Sequence, residues 1–414
     1  MKFKEIAEYV GVNNYPEKFE EAFLNLTDEK TDFCDKNEIQ KYDEEYGVLG
    51  KYKDIILKGA ADILEDEKLY LYGRTILEYA KTSTHDEIRC VPLPEFDGTI
   101  KRDVFPMLII LTFVPGCISF YKERGYDEEI ISKALKKMSS SMEGTEKTTG
   151  TARLIPLYYN WDFLYIFGEI FEHDGFQYQF KKFYGGAMLL TNKSTNENVI
   201  MMRENSFHKS GLILGSVGAE DKEGSFGADF SESDEAFCGH LVLNGKVSPQ
   251  KTICKKSEWD CVLKPGDMAL AVHIPKDADV SHEAVLRSFN ASFKVAKDLF
   301  PEHNPKYIVC YSWLLDPTLE DLMGNESRLV GFGNEFLKFP VMSNGTEYKH
   351  FVFRGYEGPT ETLPEDTSLR RKIKKHLLSD KYIYYTAGVY IENNYEKWKN
   401  NCNSKKYETN KKIS

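Results

Sequence analysis

The side chains best placed to do chemistry fall within one stretch, Gly266 to Pro317. His273 ends the apolar run Met268-Ala269-Leu270-Ala271-Val272 and precedes Ile274-Pro275. An imidazole at that position can act as general base or acid near neutral pH. Its structural alternative is a hydrogen-bonded core histidine. Cys310 and Ser312, in Tyr307-Ile308-Val309-Cys310-Tyr311-Ser312, are the nucleophile candidates. No GxSxG elbow surrounds Ser312 and nothing in sequence lowers the Cys310 thiol pKa, so both read first as structural. Asp316, just before Pro317, can orient a base or attract a substrate amine; alternatively it caps a helix beginning at Thr318. A hydrolase built from Ser312, His273 and Asp316 is weakened by the closeness of Ser312 and Asp316 in the chain.

These residues need a strand-helix-strand frame. Met268 to Ile274 and Tyr307 to Ser312 read as strands, with their polar residues at the C-terminal ends, where ligands sit in α/β units. Between them Val285, Phe289, Phe293, Ala296 and Phe300 recur at helical spacing and should face the sheet. Ser281 is the expected N-cap, with Val280 and Val285 as a hydrophobic staple.

The rest of the chain divides by texture. Residues 1–150 read as helical. Phe19, Ala22, Phe23 and Leu26 share one face, Tyr52 to Tyr79 gives two helices, and Met107 to Val114 reads as a buried one. The polar run Ser139 to Gly150 is the expected domain boundary. Residues 151–395 are β-rich, with hairpin turns at His173-Asp174-Gly175 and Asn244-Gly245. Phe163 to Glu172, Leu337 to Val341 and Lys349 to Phe353 look extended, and Ser216 to Phe237 reads as a lid or a disordered insertion. A basic helix, Leu369 to Leu378, precedes the aromatic strand Tyr382 to Ile391, and 396–414 reads as a polar tail.

Composition narrows the function. A net charge of −11 without a dense basic run argues against nucleic acid as partner. The longest apolar run, Val104 to Phe120, is broken by Pro106, Pro115 and Gly116, so no membrane span is expected. The start, Met1-Lys2-Phe3-Lys4-Glu5, has no secretion-signal character, and the eight cysteines form no CxxC pair; cytoplasmic, reduced thiols and no metal are the expectation. The acidic residues Glu220, Asp221, Asp229, Glu232, Asp234 and Glu235 lack EF-hand spacing.

Several patches together resemble a known family. Arg102-Asp103-Val104-Phe105-Pro106-Met107-Leu108 and Tyr121-Lys122-Glu123-Arg124-Gly125-Tyr126 are similar to the helical part of bacterial acyltransferase-domain proteins. These join an N-acyltransferase N-terminal domain to a GNAT-like C-terminal domain. Gly239-His240, Gly245, Trp259, Leu263, Gly266-Asp267, His273-Ile274-Pro275, Ser312-Trp313-Leu314-Leu315-Asp316-Pro317 and Leu363-Pro364-Glu365-Asp366-Thr367-Ser368-Leu369 resemble the second part. The resemblance implies an α/β (α+β) protein, a helical N-terminal domain followed by a mixed-sheet GNAT-like domain. It also implies transfer of an acyl group from acyl-CoA, or another acyl thioester, to an amine. Two neighbouring parallel strands would splay to admit the thioester, and free backbone N–H groups would stabilise the oxyanion. His273 would be base or orienting group, Tyr311 or Ser312 the proton donor to the thiolate, and Asp316 the attractor of the amine. The usual Q/R-x-x-G-x-G/A pyrophosphate loop is replaced by Pro275-Lys276-Asp277-Ala278-Asp279-Val280-Ser281, without glycine. Lys276 and the backbone at Ser281 would hold phosphate there, opposed by Asp277 and Asp279.

A reading of another class remains beside this one: a catalytically silent ligand-binding protein using Trp161, Tyr178 and Trp313 as stacking platforms.

Overall fold

The computed structural model describes residues 1–27, 33–353, 356 and 358–391, so the expected tail 396–414 lies outside the described residues. The chain divides into two compact units, Met1–Phe171 and Glu172–Ser414. The polar run 139–150 is therefore not the division. It lies in a helix, Lys137–Thr149, which buries Met138, Met142 and Thr145 and ends at Gly150 with φ 77°. A stripe at spacings of three and four suffices to dock a helix, and glycine supplies the left-handed cap, so polar composition concealed a regular element. The next helix, Pro156–Ile166, also belongs to the first unit, where Tyr159, Phe163 and Ile166 join the core. The expected extended segment from Phe163 is thus helical to Ile166, and the strand begins at Ile170.

The first unit is built around the helix Ile100–Leu111, in which every residue from Arg102 to Leu111 is buried. It starts earlier than the sequence suggested and carries Pro106 inside. Gly59, in the helix Lys53–Leu64, allows the close approach: a Cβ there would stand 2.2 Å from Val104 Cγ2. Arg102 is buried beside them and donates to the backbone carbonyls of Tyr9, Val10 and Glu95. With the following helix, Val114–Glu123, the segment 100–123 is long and apolar enough to match a membrane span by length and composition, as the core helices of a globular fold also are; 61% of its apolar window is buried inside the fold.

The second unit is β-rich. Its strands are β1 (Ile170–His173, across the division), β2 (Phe176–Lys182), β3 (Ala187–Asn192), β4 (Asn198–Met202), β5 (Ser206–Phe207), β6 (Phe226–Gly227) and β7 (Ser231–Glu232). These are followed by β8 (Ala236–Leu243), β9 (Lys246–Lys255), β10 (Trp259–Leu263), β11 (Met268–His273), β12 (Tyr307–Ser312), β13 (Leu337–Pro340) and β14 (Thr386–Ile391). One sheet runs β1-β2-β11-β12-β14-β13; a second runs β10-β3-β4-β8-β7 with β9 on β8. Both hairpin turns are formed, Asp174-Gly175 at φ 48° and 82° and Asn244-Gly245 at φ 50° and 75°, the left-handed pair a two-residue turn demands.

The first sheet is covered on both faces. Ala269, Ala271, Val309, Ala387 and Val389 meet Leu189, Ile200, Met202 and Leu263 of the second sheet. On the other face lies the helix His282–Leu299. Its Phe289 ring sits 6.0 Å from Phe176, 6.3 Å from Tyr178 and 5.0 Å from Tyr390. Two expectations are corrected. Lys349 to Phe353 is helical, within Glu347–Phe353. The segment from Ser216 to Phe237 is ordered: it carries β6 and β7, and the Ser216 hydroxyl accepts from the Ser343 N–H at 3.2 Å.

Candidate active site

β11 and β12 are adjacent and parallel, but they pair only through Leu270 with Ile308 and Ala271 with Val309. Beyond that point each keeps its outer neighbour. Val272 and His273 continue on Tyr178 and Gln177 of β2, while Cys310, Tyr311 and Ser312 continue on Gly388, Ala387 and Thr386 of β14. The two strands therefore part at their C-terminal ends. Backbone groups of Val272, His273 and Cys310 to Ser312 that face the opening have no ladder partner across it.

Strand alternation sorts the candidates onto two faces. Ala271 and Val309 are register partners, so His273 and Tyr311, two residues further on, share the face toward the second sheet. Ser312 lies on the opposite face, with the helix His282–Leu299. Asp316 lies past the 3-10 turn Trp313–Leu315. A Ser312–His273–Asp316 triad is therefore not assembled.

His273 is half-buried, and its Nε2 lies 3.1 Å from Gln179 Oε1. With the Gln179 oxygen as acceptor, that contact selects the Nε2–H tautomer. Burial, with the Lys181 charge adding to it, lowers the imidazole pKa to about 4, so the ring is neutral at pH 7. Gln179 is a residue that sequence reasoning missed. The alternation Phe176-Gln177-Tyr178-Gln179-Phe180 suggested a strand wet on one side, yet Gln179 is only 6% exposed because a second sheet covers it.

The Tyr311 hydroxyl is engaged. It donates to the Tyr184 carbonyl oxygen at 2.9 Å, accepts from the Tyr184 N–H at 3.4 Å, and its ring stacks on Tyr184 at 4.1 Å. Ser312 Oγ accepts from the Leu314 N–H at 3.2 Å, which leaves its own proton to donate. Asp316, 2% exposed, accepts from the N–H groups of Thr318 at 2.9 Å and Tyr384 at 2.6 Å. It thus does what the capping alternative required, and burial raises its pKa. Cys310 is buried and its thiol pKa is pushed up, which leaves it inert.

The loop after β11 turns at Pro275, whose carbonyl accepts from the Ala278 N–H at 3.0 Å. Ser281 is at the helix N-cap but makes no side-chain capping bond; instead its N–H donates to Asp279 Oδ1 at 3.0 Å. Lys276 precedes this start, and Arg328 lies 3.9 Å from Asp279. His282, the first helical residue, bonds through Nδ1 to the half-buried Glu335 carboxylate. That pair had no sequence signal, because its members are 53 residues apart.

Of the three stacking platforms in the silent-binder reading, two are buried, and Trp161 is half-buried against Leu164, Tyr165 and Ile170. Tyr178 is fully buried, its hydroxyl 2.6 Å from Ser288 Oγ, and Trp313 is 7% exposed. Among the described residues no group of three or more His, Cys, Asp or Glu side chains is arranged to hold a metal ion.

The model of the GNAT-like C-terminal domain family matches residues 176–390, more than half of the chain. The chain belongs to this family. The GNAT-like domain thus begins at β2 and runs into β14, enclosing the splayed strands. No curated protein matches the chain. Among solved structures, a mutant acyltransferase in complex with octanoyl-CoA superposes with a TM-score of 0.62 at 14% identity, over 94% of this chain and 99% of that one. An acyltransferase in complex with decanoyl-CoA and teicoplanin gives 0.62 at 15% identity over the same shares. A complex with CoA and 10C-teicoplanin gives 0.61 at 15%, again over 94% and 99%. At these identities the likeness establishes the fold, including a helical region before the GNAT-like domain.

Proposed function

We propose that the protein transfers an acyl group from acyl-CoA to an amine acceptor. The observation that carries this reading is the parting of β11 and β12 after two residue pairs. A gap between two strands exposes backbone N–H groups fixed by the sheet, and such groups stabilise the oxyanion of a tetrahedral intermediate without reorganising. The bound acyl-CoA and CoA of the similar structures support a thioester as the donor. The start of the helix His282–Leu299, uncapped by the Ser281 side chain and flanked by Lys276, would receive the donor's phosphates.

In this reading the thioester carbonyl lies in the gap. The amine approaches from the His273 face and its nitrogen forms the new bond to the carbonyl carbon. The carbon–sulfur bond then breaks, and a proton passes in net from nitrogen to sulfur. The His273 imidazole takes that proton. The ring is neutral at pH 7 and so able to accept a proton, and the nitrogen it serves is more acidic in the tetrahedral intermediate than in a free ammonium. Ser312, on the other face, gives its proton to the departing thiolate and regains one from solvent, as His273 returns its proton to solvent, so the net transfer is from nitrogen to sulfur. Tyr311 positions Tyr184 rather than giving up a proton. The test is incubation with acyl-CoA donors of graded chain length and a panel of amines, following free thiol and amide by mass. Stoichiometric thiol and amide are expected. Neither product with any donor, and no thermal shift with CoA, would end the proposal.

A further inference from the structure

A cavity of about 360 Å³ opens beside the C-terminal end of β12. It is lined by Asp316, Lys246, Lys381, Tyr384, Tyr385 and Ser216, among others. We propose that it is the acceptor pocket and that it takes a compact amino acid, an amine and a carboxylate on a flat apolar body. This rests on the acyl-transfer reading of the neighbouring strands.

Position comes first. Tyr311 is the register partner of Ala387, so Tyr385, two residues before, continues the same face as Tyr311 and His273. The Tyr385 phenol is close enough to Tyr184 and Cys310 for both to hold its pKa further up, after burial. Tyr184 stacks on Tyr311. One wall of tyrosines thus leads from the cavity to the face on which the amine must arrive. Size comes second: a space of this order holds one small molecule and excludes a large peptide.

Charge decides the class. Asp316 is a buried carboxylate held by two backbone N–H groups. No cationic side chain forms an ion pair with it among the described residues. His376 of the lining and Lys338 act on it through space without a bond, a buried carboxylate with no bonded counter-charge is costly, and an ionised carboxylate retains acceptor positions beyond the two in use. An ammonium entering the cavity supplies the missing partner. At the rim Lys246 and Lys381 are exposed and form no ion pair among the described residues, so a carboxylate can settle between them, opposed by the other acidic residue of the lining, Asp380. The faces of Tyr384 and Tyr385 suit an apolar body lying between the two charged ends.

The test separates the pocket from the chemistry. Binding of L-tyrosine and of tyramine to the full chain is measured by saturation-transfer NMR, without any acyl donor. Wild type is compared with Lys246→Glu and Lys381→Glu, both at exposed positions, and with Tyr384→Phe, with native folding of each checked by circular dichroism. L-tyrosine should bind, and each lysine reversal should weaken it at least about fivefold while leaving tyramine within about twofold. Tyr384→Phe should keep the ring contact and change both ligands little. The pocket assignment fails if L-tyrosine and tyramine bind alike and no lysine variant distinguishes them, or if neither binds. It fails equally if thiol release from acyl-CoA proceeds with an acceptor whose KM ignores both lysine reversals; acyl transfer then stands without the pocket. Selective L-tyrosine binding with no thiol release from any donor would leave the pocket standing and remove the acyl-transfer reading.

Discussion

The histidine at the end of β11 is a neutral imidazole by environment. Its folded pKa, about 4, lies below the ordinary value of 6.5. In the folded protein the proton is lost at lower pH than in the unfolded chain. Stability from this group is therefore complete above about pH 6.5 and declines as pH falls toward 4. Activity follows the same logic: a kcat profile between pH 6 and 9 should show no inflection belonging to His273. Replacing His273 by Ala should lower kcat by about 10²- to 10⁴-fold, the usual range for a lost general base, while circular dichroism stays native. An unchanged kcat in His273→Ala would show that the ring only fills space beside Gln179. Much of this site was legible in the chain, since the strand end and its histidine follow from an apolar run and a proline. Which hydroxyls remain usable was not. The Tyr311 bond to Tyr184 spans 127 residues, and no local pattern announces a contact at that distance. Asp316 was read both as a cap and as an amine attractor, and its bond from the Thr318 N–H shows the first role, while the bond from Tyr384, 68 residues on, had no local signal.

At the scale of elements, the helix His282–Leu299 holds the splayed strands from behind. Its apolar residues at three and four spacing were plain in the sequence, and the structure buries Val285, Phe289, Phe293 and Ala296 as that spacing required. Phe289 is its anchor, fully buried and in ring contact with Phe176, Tyr178, Phe332, Phe336 and Tyr390. Replacing it by Ala removes a large side chain from a site fixed by strands on one side and helices on the other, so little collapse can fill the space. A loss of about 3 to 5 kcal/mol is expected, read as a lower denaturant midpoint for the GNAT-like domain at unchanged slope. A loss under 1 kcal/mol would mean that the aromatic cluster repacks freely. Two of the elements that the sequence misassigned share one cause. Lys137–Thr149 and Glu347–Phe353 are short or polar helices whose docking needs only a narrow stripe, and composition averages such a stripe away.

At the scale of the whole molecule the chain carries two compact units, and their boundary was placed too early because a polar helix resembled a linker. The helical unit contains a group that gives its stability a pH dependence of its own. Asp162 is 1% exposed in the helix Pro156–Ile166 and accepts a hydrogen bond from Ser141 Oγ at 2.9 Å, while its other oxygen has no partner. Burial raises its pKa to about 7, against a bond from Ser141 and the Lys137 charge that lower it. A carboxyl whose folded pKa exceeds its unfolded value binds more protons when folded, so stability falls as pH rises from about 4 to about 7 and then levels. Because the group is fully enclosed, the fall is on the order of 2 to 4 kcal/mol. Asp162→Asn keeps an oxygen for Ser141 and removes the titration, so its stability should be nearly level between pH 5 and 8. Hydrogen exchange followed by mass spectrometry can assign the effect to residues 1–171. Wild type should exchange faster there at pH 8 than at pH 5, after correction for intrinsic rates, and Asp162→Asn should erase that difference. If the variant retains the wild-type slope, another group of the helical unit carries the pH dependence and Asp162 is ionised at neutral pH.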